Sequence, residues 1–582
     1  MTSTRVFNRT SAAIALTLAT LAGCNAIVGL DKIQVTNDPA ETAGGDAGGQ
    51  ANPNGGTAGT AGTEGGTGGS VEPQGGDGGG PDVPMGDCTT NQECTDRFSA
   101  DSVGEGGAAA GTVAGVCVQK PVAHCVKLLS EDCDAITGDY LNNGAIVIGS
   151  LFSTKGTTAP TNLPRQQAAM LGVEQINAGG GIPANDTSSN ARPLVMVSCD
   201  ESTNLVRAAN HLVTDLHVPA IVGPNTSQDT IDVSNKVTVP GGAVVMSPTG
   251  VASSIAALAD KDLTWLMVPT DVQRAPLMVD QLHVLEAKVD DEQSKTVAKL
   301  GIVYRNDALG IGTRSALNDL VFNGKSLADP LNLNKNVQID PYNGADTDQQ
   351  ALVAKYLTFQ PDIIVLAGTA EAITKVMVPL EAQWSAVNRP YYVLIDSTKV
   401  PELLTAVTGA DPHSLRTRIR GTGITPGPTG TNTPAETLVN FQVDYGVRYN
   451  GASATISGMG PAHDAAYSIG LALAATRTQE ISGASVAQGL RKLAGGTTIL
   501  KATAQNVPQA IQKLAAGDKI TAVGTFGMLD WDADGAVQGG TLEMWCIGVS
   551  AGKPAYASSG LTFDIKTQMK GSAPYVQCPP AP

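Results

Sequence analysis

Five polar residues that could hold a small ligand follow short apolar runs in the first half of the chain. They are Ser153, Asn225, Thr226, Ser227 and Thr249. Hydroxyl and amide groups both donate and accept hydrogen bonds, so this set favours reversible binding of a polar molecule. A helix is predicted to begin after Ser227, where free N–H groups attract an anion. Capping that helix is the alternative role for the Ser227 hydroxyl.

The motifs of common catalytic centres are missing from the sequence. There is no G-x-S-x-G elbow of serine hydrolases, no H-E-x-x-H of zinc proteases and no nucleotide-binding P-loop. We therefore predict a binding protein that is not an enzyme and that uses no cofactor.

Four short apolar runs alternate with helical segments between residues 145 and 251. The runs cover 145–149, 194–198, 219–223 and 243–246. Runs of this kind are typical of parallel strands that are buried on both faces. Apolar residues at helical spacing in 169–176 and 205–216 predict the helices between them. This alternation predicts a doubly wound α/β sheet, whose ligands bind outside the carboxyl ends of the strands, where the five polar residues fall.

A second α/β series follows residue 268. Apolar runs at 300–304, 363–367 and 391–395 predict its strands, and segments 308–320 and 348–357 predict its helices. The fold class is therefore α/β, with two doubly wound parallel sheets.

Six motifs in order resemble those of periplasmic substrate-binding proteins of branched-chain amino-acid ABC transporters, the Leu/Ile/Val-binding type. The family patterns I-x-I-G, E-x-I-N-x-x-G-G, I-V-G-P-x-x-S, S-P-x-x-T, Y-D-A-A-Y and a closing hairpin are matched at residues 146–149, 174–181, 221–227, 247–251, 460–467 and 524–545. The resemblance covers about residues 143–550. It implies the type I periplasmic-binding-protein fold, in which two lobes are joined by a three-strand hinge and close on a ligand.

The resemblance also implies how the chain divides between the lobes. Crossovers are expected near residues 271, 396 and 517, so that 143–271 with 396–516 forms lobe 1. Residues 272–395 with 517–582 then form lobe 2.

The same resemblance implies roles for individual residues. Ser227 matches the serine whose hydroxyl holds a ligand carboxylate, and Asn225, Thr226 and Thr249 match neighbouring contact positions. From lobe 2, Thr369 stands where amino-acid binders have an aromatic residue, and Asp396 lies close to the carboxylate that pairs with a ligand ammonium. Val251 replaces the threonine of S-P-x-x-T. These departures leave the identity of the ligand open.

The N-terminus is predicted to be a lipoprotein signal peptide, residues 1–23. Two arginines precede an apolar run that is too short to span a bilayer, and the run ends in a lipobox-like sequence before Cys24. An ordinary secretory signal with a chance cysteine is the alternative. The residue after Cys24 is Asn25, and not the aspartate that resembles a retention signal for the inner membrane. Anchoring in the outer membrane is therefore favoured. Residues 24–86 are Gly-rich and predict a disordered tether of about 60 residues, spanning ~40–45 Å as a random coil.

The chain carries nine cysteines, and eight remain when Cys24 is set aside. An even number in an exported chain favours disulfides. Five lie in a small segment at 87–134, so one of these is expected to reach outward to Cys199, and Cys546 is expected to pair with Cys578. Zinc binding by the segment is the alternative, although it contains no C-x-x-C pair.

Residues 530–537 begin like a calcium loop, but Thr541 stands where the loop needs a bidentate glutamate. A hairpin turn is favoured there, and calcium is the alternative.

These features predict a lipid-anchored, extracytoplasmic solute-binding protein that delivers a small polar, amino-acid-like ligand to an ABC permease. The alternative is a receptor component that senses the ligand and contacts a signalling partner. The net charge of −17 and the aromatic content of 4% argue against nucleic acid as a partner. Membrane contact is expected through the lipid anchor only, on the periplasmic face or the cell surface.

Overall fold

The computed structural model of the chain describes residues 88–101, 112–184, 191–408, 414–476 and 480–578. The predicted signal peptide, the lipidated Cys24 and the predicted tether at 24–86 lie outside these residues. No helix within the described ranges combines the length and the apolarity needed to cross a membrane.

The Cys-rich segment folds as one helix and three short strands. They are α1 (Asn91–Asp101), β1 (Gly115–Val118), β2 (His124–Lys127) and β3 (Cys133–Thr137). The disulfides are Cys88–Cys117, Cys94–Cys125, Cys133–Cys199 and Cys546–Cys578. The predicted bridges to Cys199 and between Cys546 and Cys578 are confirmed. Zinc would need free thiolates, and the cysteines of this segment are all bonded as disulfides.

The first sheet has six strands and is wound by helices on both faces. Its part of the chain contains β4 (Ile146–Phe152), α2 (Ala159–Ala178), β5 (Leu194–Asp200), α3 (Leu205–Asn210), β6 (Ala220–Val222), α4 (Ser227–Val233), α5 (Val239–Gly241), β7 (Val244–Ser247), α6 (Ser253–Ala256) and β8 (Thr264–Leu266). The strand order is β3-β5-β4-β6-β7-β8, parallel except for β3 at the edge. The segment 87–134 is therefore not separate from lobe 1, because β3 extends the lobe 1 sheet.

The second sheet has eight strands and begins after a long helix. This part contains α7 (Asp271–Gln293), β9 (Leu300–Arg305), α8 (Ala308–Ala316), β10 (Val321–Phe322), β11 (Lys325–Ser326), β12 (Val337–Tyr342), α9 (Gln350–Phe359), β13 (Ile363–Ala367), α10 (Ala370–Ala372), α11 (Val378–Gln383), β14 (Tyr391–Leu394), α12 (Pro401–Ala406), α13 (Leu415–Arg418) and β15 (Ile419–Thr425). The N-terminus of α7 has a capping box, in which Thr270 and Gln273 exchange hydrogen bonds.

The last part of the chain returns to lobe 1 and then completes the second sheet. It contains α14 (Pro434–Arg448), α15 (Met459–Ala475), α16 (Gly483–Leu490), β16 (Ile499–Lys501), α17 (Val507–Ala515), β17 (Thr521–Val523), β18 (Thr541–Ser550), β19 (Lys553–Asp564) and β20 (Met569–Lys570). Helices α14 to α17 share one apolar core with α2 and the first sheet. The second sheet runs β12-β9-β13-β14-β15-β18-β19-β20, parallel up to β15 and antiparallel beyond it.

Two of the three expected crossovers lie later in the chain than the resemblance implied. The first agrees, because β8 belongs to the first sheet and α7 packs on the second. The second does not lie at 396, because β15 still pairs with β14 in the second sheet. The third does not lie at 517, because Trp531 and Val537 remain in the lobe 1 core and β18 then enters the second sheet. Lobe 1 therefore takes residues 434–537, and lobe 2 resumes at β18.

The hairpin predicted within 524–545 is present as a tight turn. Trp531 and Val537 form an antiparallel bridge, and the Asp532 N–H donates to the Ala536 carbonyl over 2.9 Å. The Asp532 side chain accepts the backbone N–H groups of Asp534 and Ala536 at 3.0 and 2.9 Å. Its carboxylate therefore stabilises the turn.

Candidate functional site

The carboxyl ends of the two parallel sheets face one another across a cleft beside the hinge. Val251 of lobe 1 packs against the apolar cluster of lobe 2, and Ala308 of lobe 2 packs against an apolar cluster of lobe 1. A Cβ atom on Gly312 of α8 would lie 1.8 Å from Asp271 Oδ2, so this helix closely approaches the first crossover. Val251, which stands where the family has a threonine, thus makes an apolar contact between the lobes.

Ser227 is held by the loop that follows the neighbouring strand β7. Its hydroxyl oxygen accepts hydrogen bonds from the backbone N–H groups of Val251 and Ala252 at 3.0 and 3.2 Å. Because both lone pairs are occupied, the hydroxyl can only donate to a further partner. The alternative that Ser227 caps α4 is wrong, since Thr226 is the N-cap and its side chain accepts from the Asp229 N–H.

Asn225 and Thr249 lie side by side in the same cleft wall. The Thr249 hydroxyl donates to the Asn225 carbonyl over 2.6 Å, and Asn225 Nδ2 donates to Asn162 Oδ1 over 2.8 Å. Arg165 Nη1 donates to the same Asn162 oxygen over 3.0 Å, and Arg165 Nε donates to the Ser457 carbonyl over 2.8 Å. Loss of solvent around Arg165 lowers the pKa of its guanidinium to about 10, and the charge of Asp396 opposes the shift.

Ser153 lies against a buried carboxyl group. Its hydroxyl donates to Glu201 Oε1 over 3.0 Å, while Glu201 Oε2 is buried and has no hydrogen-bond partner among the described residues. Burial, and then the nearby charge of Asp229, raise the pKa of Glu201 well above its usual value. Burial also raises the pKa of Asp229. Two acidic groups with raised pKa values therefore lie together on the lobe 1 side.

Thr369 belongs to a charged network at the carboxyl ends of β9 and β13. Arg305 donates to Asp307 over 2.7 Å, to the Thr369 hydroxyl over 3.0 Å and to Glu371 over 3.1 Å. The Thr369 hydroxyl in turn donates to Glu371. The positive charge of Arg305 acts on Asp229 of lobe 1, so this network faces the acidic pair across the cleft.

Asp396 lies between two guanidinium groups. Its carboxylate is 3.6 Å from Arg274 Nη1, and the two side chains are 11% and 8% exposed. Its charge also acts on Arg165 of lobe 1. The structure therefore surrounds Asp396 with positive charge already supplied by the protein.

All seven predicted ligand residues follow the carboxyl ends of strands of the two sheets, and charged groups that sequence reasoning missed lie near them. These are Arg165, Glu201, Asp229, Arg274 and Arg305. Glu201 and Arg305 lie at strand ends, so the rule that located Ser153 could also have found them. Arg165 and Arg274 lie within helices, where a charge usually means a solvated surface.

The architecture is similar to that of solved periplasmic binding proteins. Leucine-binding protein LivK of Thermotoga maritima aligns with a TM-score of 0.50 at 13% identity, over 71% of this chain and 98% of that one. A periplasmic binding protein type 1 of Bordetella pertussis aligns with a TM-score of 0.50 at 16% identity, over 71% of this chain and all of that one (100%). No protein-family model and no curated protein matches the sequence. The chain therefore has the fold of the type I periplasmic binding proteins.

Proposed function

We propose that the protein is a lipid-anchored solute-binding protein outside the cytoplasm, which closes on a small polar ligand and delivers it to an ABC transporter. The observation that carries this proposal is the cleft itself, where polar strand-end residues of two hinged lobes converge. Binding without catalysis fits these groups, because they are hydrogen-bond donors and ion pairs fixed by other parts of the chain.

The charges in the cleft favour a ligand that carries both signs. Glu201 and Asp229 offer acidic groups to a ligand cation, while Arg165 and Arg274 on either side of Asp396 offer guanidinium groups to a ligand anion. The Ser227 hydroxyl supplies a donor for the same anion. An amino-acid-like zwitterion meets both requirements, and the leucine-binding protein of Thermotoga maritima offers a precedent on this fold. In this proposal the positive charge of the ligand ammonium lowers the raised pKa of Glu201, whose carboxylate then pairs with it, and Asp396 positions the two guanidinium groups.

Ligand-dependent thermal unfolding of the soluble part tests the proposal directly. The screen contains leucine, small amino acids, amides, urea, organic acids and aromatic acids. A ligand present at 100 times its Kd stabilises the folded protein by ~2.7 kcal/mol, which shifts the unfolding midpoint measurably. A ligand that stabilises wild type but not Ser227→Ala supports the cleft. Equal stabilisation of both proteins by every hit would place binding elsewhere.

A second candidate function is ligand sensing without transport. It is favoured by the Cys-rich segment, which is fixed to lobe 1 through β3 and the Cys133–Cys199 disulfide and so presents a firm surface to a partner. Uptake of labelled ligand separates the two functions. Loss of uptake in cells that lack the protein supports delivery, whereas normal uptake with a lost ligand response supports sensing.

A further inference from the structure

A cavity of about 680 Å³ opens at the edge of the second sheet opposite to the cleft. Its lining includes Gln281 of α7, Tyr391 at the start of β14, Arg420 near the start of β15, and Tyr575 and Gln577 of the C-terminal segment. The cleft groups follow the carboxyl ends of these strands, so the cavity and the cleft lie on opposite edges of one sheet. A volume of this size is typical of a small-molecule site.

Arg420 forms the charged part of the cavity wall. Its side chain is only 4% exposed, its Nη1 donates to Gln281 Oε1 over 2.8 Å, and its Cζ lies 4.1 Å from the centroid of the Tyr575 ring. No carboxylate among the described residues forms an ion pair with it. Arg418, two residues earlier, is by contrast paired with Glu381 at 2.7 Å. A buried guanidinium without a counter-ion is costly, and an anion in the cavity would offset that cost.

Gln577 supplies a second, independent sign of a missing partner. Its Oε1 accepts the Tyr575 hydroxyl over 2.9 Å, while its Nε2 is buried and has no hydrogen-bond partner within the described ranges. Buried amide groups normally find an acceptor. Lys570 is paired with Asp280 at 2.7 Å and Lys288 with Glu292 at 3.5 Å, so among the described residues of this wall Arg420 is the cation without an ion pair.

We propose that this cavity is a second ligand site, separate from the cleft, which binds a small organic carboxylate. The carboxylate accepts hydrogen bonds from Arg420 and Gln577, and its carbon skeleton lies against the Tyr575 and Tyr391 rings. A single uncompensated positive charge matches a monoanion, and the planar guanidinium fork matches the two oxygens of a carboxylate.

Titration calorimetry of the soluble protein with acetate, benzoate and phenylacetate tests this site. Benzamide is the matched neutral control for benzoate, and inorganic phosphate tests the class of anion. We expect saturable binding of at least one carboxylate, with benzamide at least about tenfold weaker than benzoate. The absence of saturable binding by all three carboxylates, or tighter binding of phosphate, would overturn the proposal.

Two variants locate the binding. Arg420→Gln and Gln577→Glu should each lower the affinity for the carboxylate by about tenfold or more. The first removes the positive charge that binds the carboxylate, and the second adds a negative charge that repels it. Gln577 is only half-buried, so its variant keeps the test valid if Arg420→Gln fails to fold. Ser227→Ala in the cleft should leave this binding within about twofold. Carboxylate binding that survives both cavity variants and is lost in Ser227→Ala belongs to the cleft and refutes the second site.

Discussion

Single residues of the cleft are held in place by the loop of a neighbouring strand. Ser227 is fixed by the backbone of residues 251–252, Asn225 by Thr249, and Ser153 by Glu201. Each group has some of its hydrogen-bonding capacity used in this way, which fixes its orientation before a ligand arrives. Orientation fixed in advance lowers the entropic cost of binding.

Ser227→Ala should weaken both ligand binding and the free protein. Loss of one hydrogen bond to a charged ligand group reduces affinity by about 10- to 150-fold. The N–H groups of Val251 and Ala252 also lose their acceptor, which lowers the free energy of unfolding by ~1–3 kcal/mol. The matched control is Ser234→Ala, since Ser234 is buried in the turn that continues α4 and accepts from Thr264. The control should lose stability and keep its affinity, and equal affinity losses would remove Ser227 from the site.

The raised pKa of Glu201 predicts a pH dependence of stability. The carboxyl group of Glu201 keeps its proton to higher pH in the folded protein than in the unfolded chain. Its contribution to the free energy of unfolding is therefore full below the ordinary Glu pKa of about 4.3. That contribution is lost as the pH rises through the raised pKa. Glu201→Gln stays neutral at every pH. Denaturant unfolding should therefore give equal stabilities near pH ~4 and a more stable variant near pH ~8.

Asp132→Asn is a control of opposite sign for this experiment. A hydrogen bond from Arg207 is the main cause that lowers the pKa of Asp132, so its stabilising effect is present above the ordinary Asp pKa and is lost as the pH falls. This variant should be less stable than wild type at neutral pH and equal to it in acid. Similar pH profiles for the two variants would contradict the assignment of Glu201.

Among the helices, α8 fixes how closely the lobes approach beside the hinge. Asp307 caps its N-terminus by accepting the Gly310 N–H over 3.1 Å, and Gly312 faces Asp271 at the start of α7. A side chain at 312 would collide with a buried carboxylate, which explains why glycine occupies this helical position.

Gly312→Ala should push α8 away from Asp271. We expect a loss of ~1–3 kcal/mol in the free energy of unfolding, as for overpacked cores, together with a cleft that closes less completely. Gly446→Ala in α14 is the matched control, because its Cβ would meet nothing closer than 3.7 Å. That change should raise stability by ~0.5–1 kcal/mol through helix propensity. Thermal unfolding compares the stabilities of the two variants. If both are more stable than wild type, α8 has room for a methyl group at residue 312.

At the scale of the whole molecule, Asp396 links the lobes electrostatically. It pairs with Arg274 at the first crossover, and its charge reaches Arg165 of lobe 1. Asp396→Asn should therefore cost ~1–3 kcal/mol of stability and increase the fraction of open molecules, which small-angle scattering detects as a larger radius of gyration. The exposed pair of Asp232 with Lys236 offers the control Asp232→Asn, with an expected loss below ~0.5 kcal/mol. Equal losses of stability in the two variants would mean that the ion pair of Asp396 with Arg274 contributes no more than a solvent-exposed pair.

The proposed membrane anchor makes a prediction for the full chain. Cys24→Ala removes the only sulfur in the lipobox-like sequence and should release the protein from membrane fractions. Mass spectrometry of the wild type should find an acylated N-terminal peptide. Unchanged fractionation, with no lipid on the wild-type peptide, would support the ordinary secretory signal.

The sequence sufficed to predict the strands that are apolar throughout. The run at 363–367 coincides with β13, and those at 194–198 and 300–304 differ from β5 and β9 by one or two residues at the ends. Strand β15 was missed because Arg420 and two glycines interrupt its apolar pattern, and the second crossover was misplaced with it. Arg165 and Arg274 were missed because only tertiary packing separates a buried helical charge from a solvated one.

Attachment of the Cys-rich segment to one lobe has a mechanical consequence. A pull on the chain ahead of Cys88 is shared by the Cys88–Cys117 and Cys94–Cys125 disulfides and then passes through Cys133–Cys199 into β5, beside the edge strand of lobe 1, so it bypasses all three crossovers. Lobe 2 carries none of that load, so a molecule held under tension at its N-terminus would still open and close. Force spectroscopy with handles at the exposed neighbours Thr89 and Ser202 should show a stiff, short linkage until the disulfides are reduced.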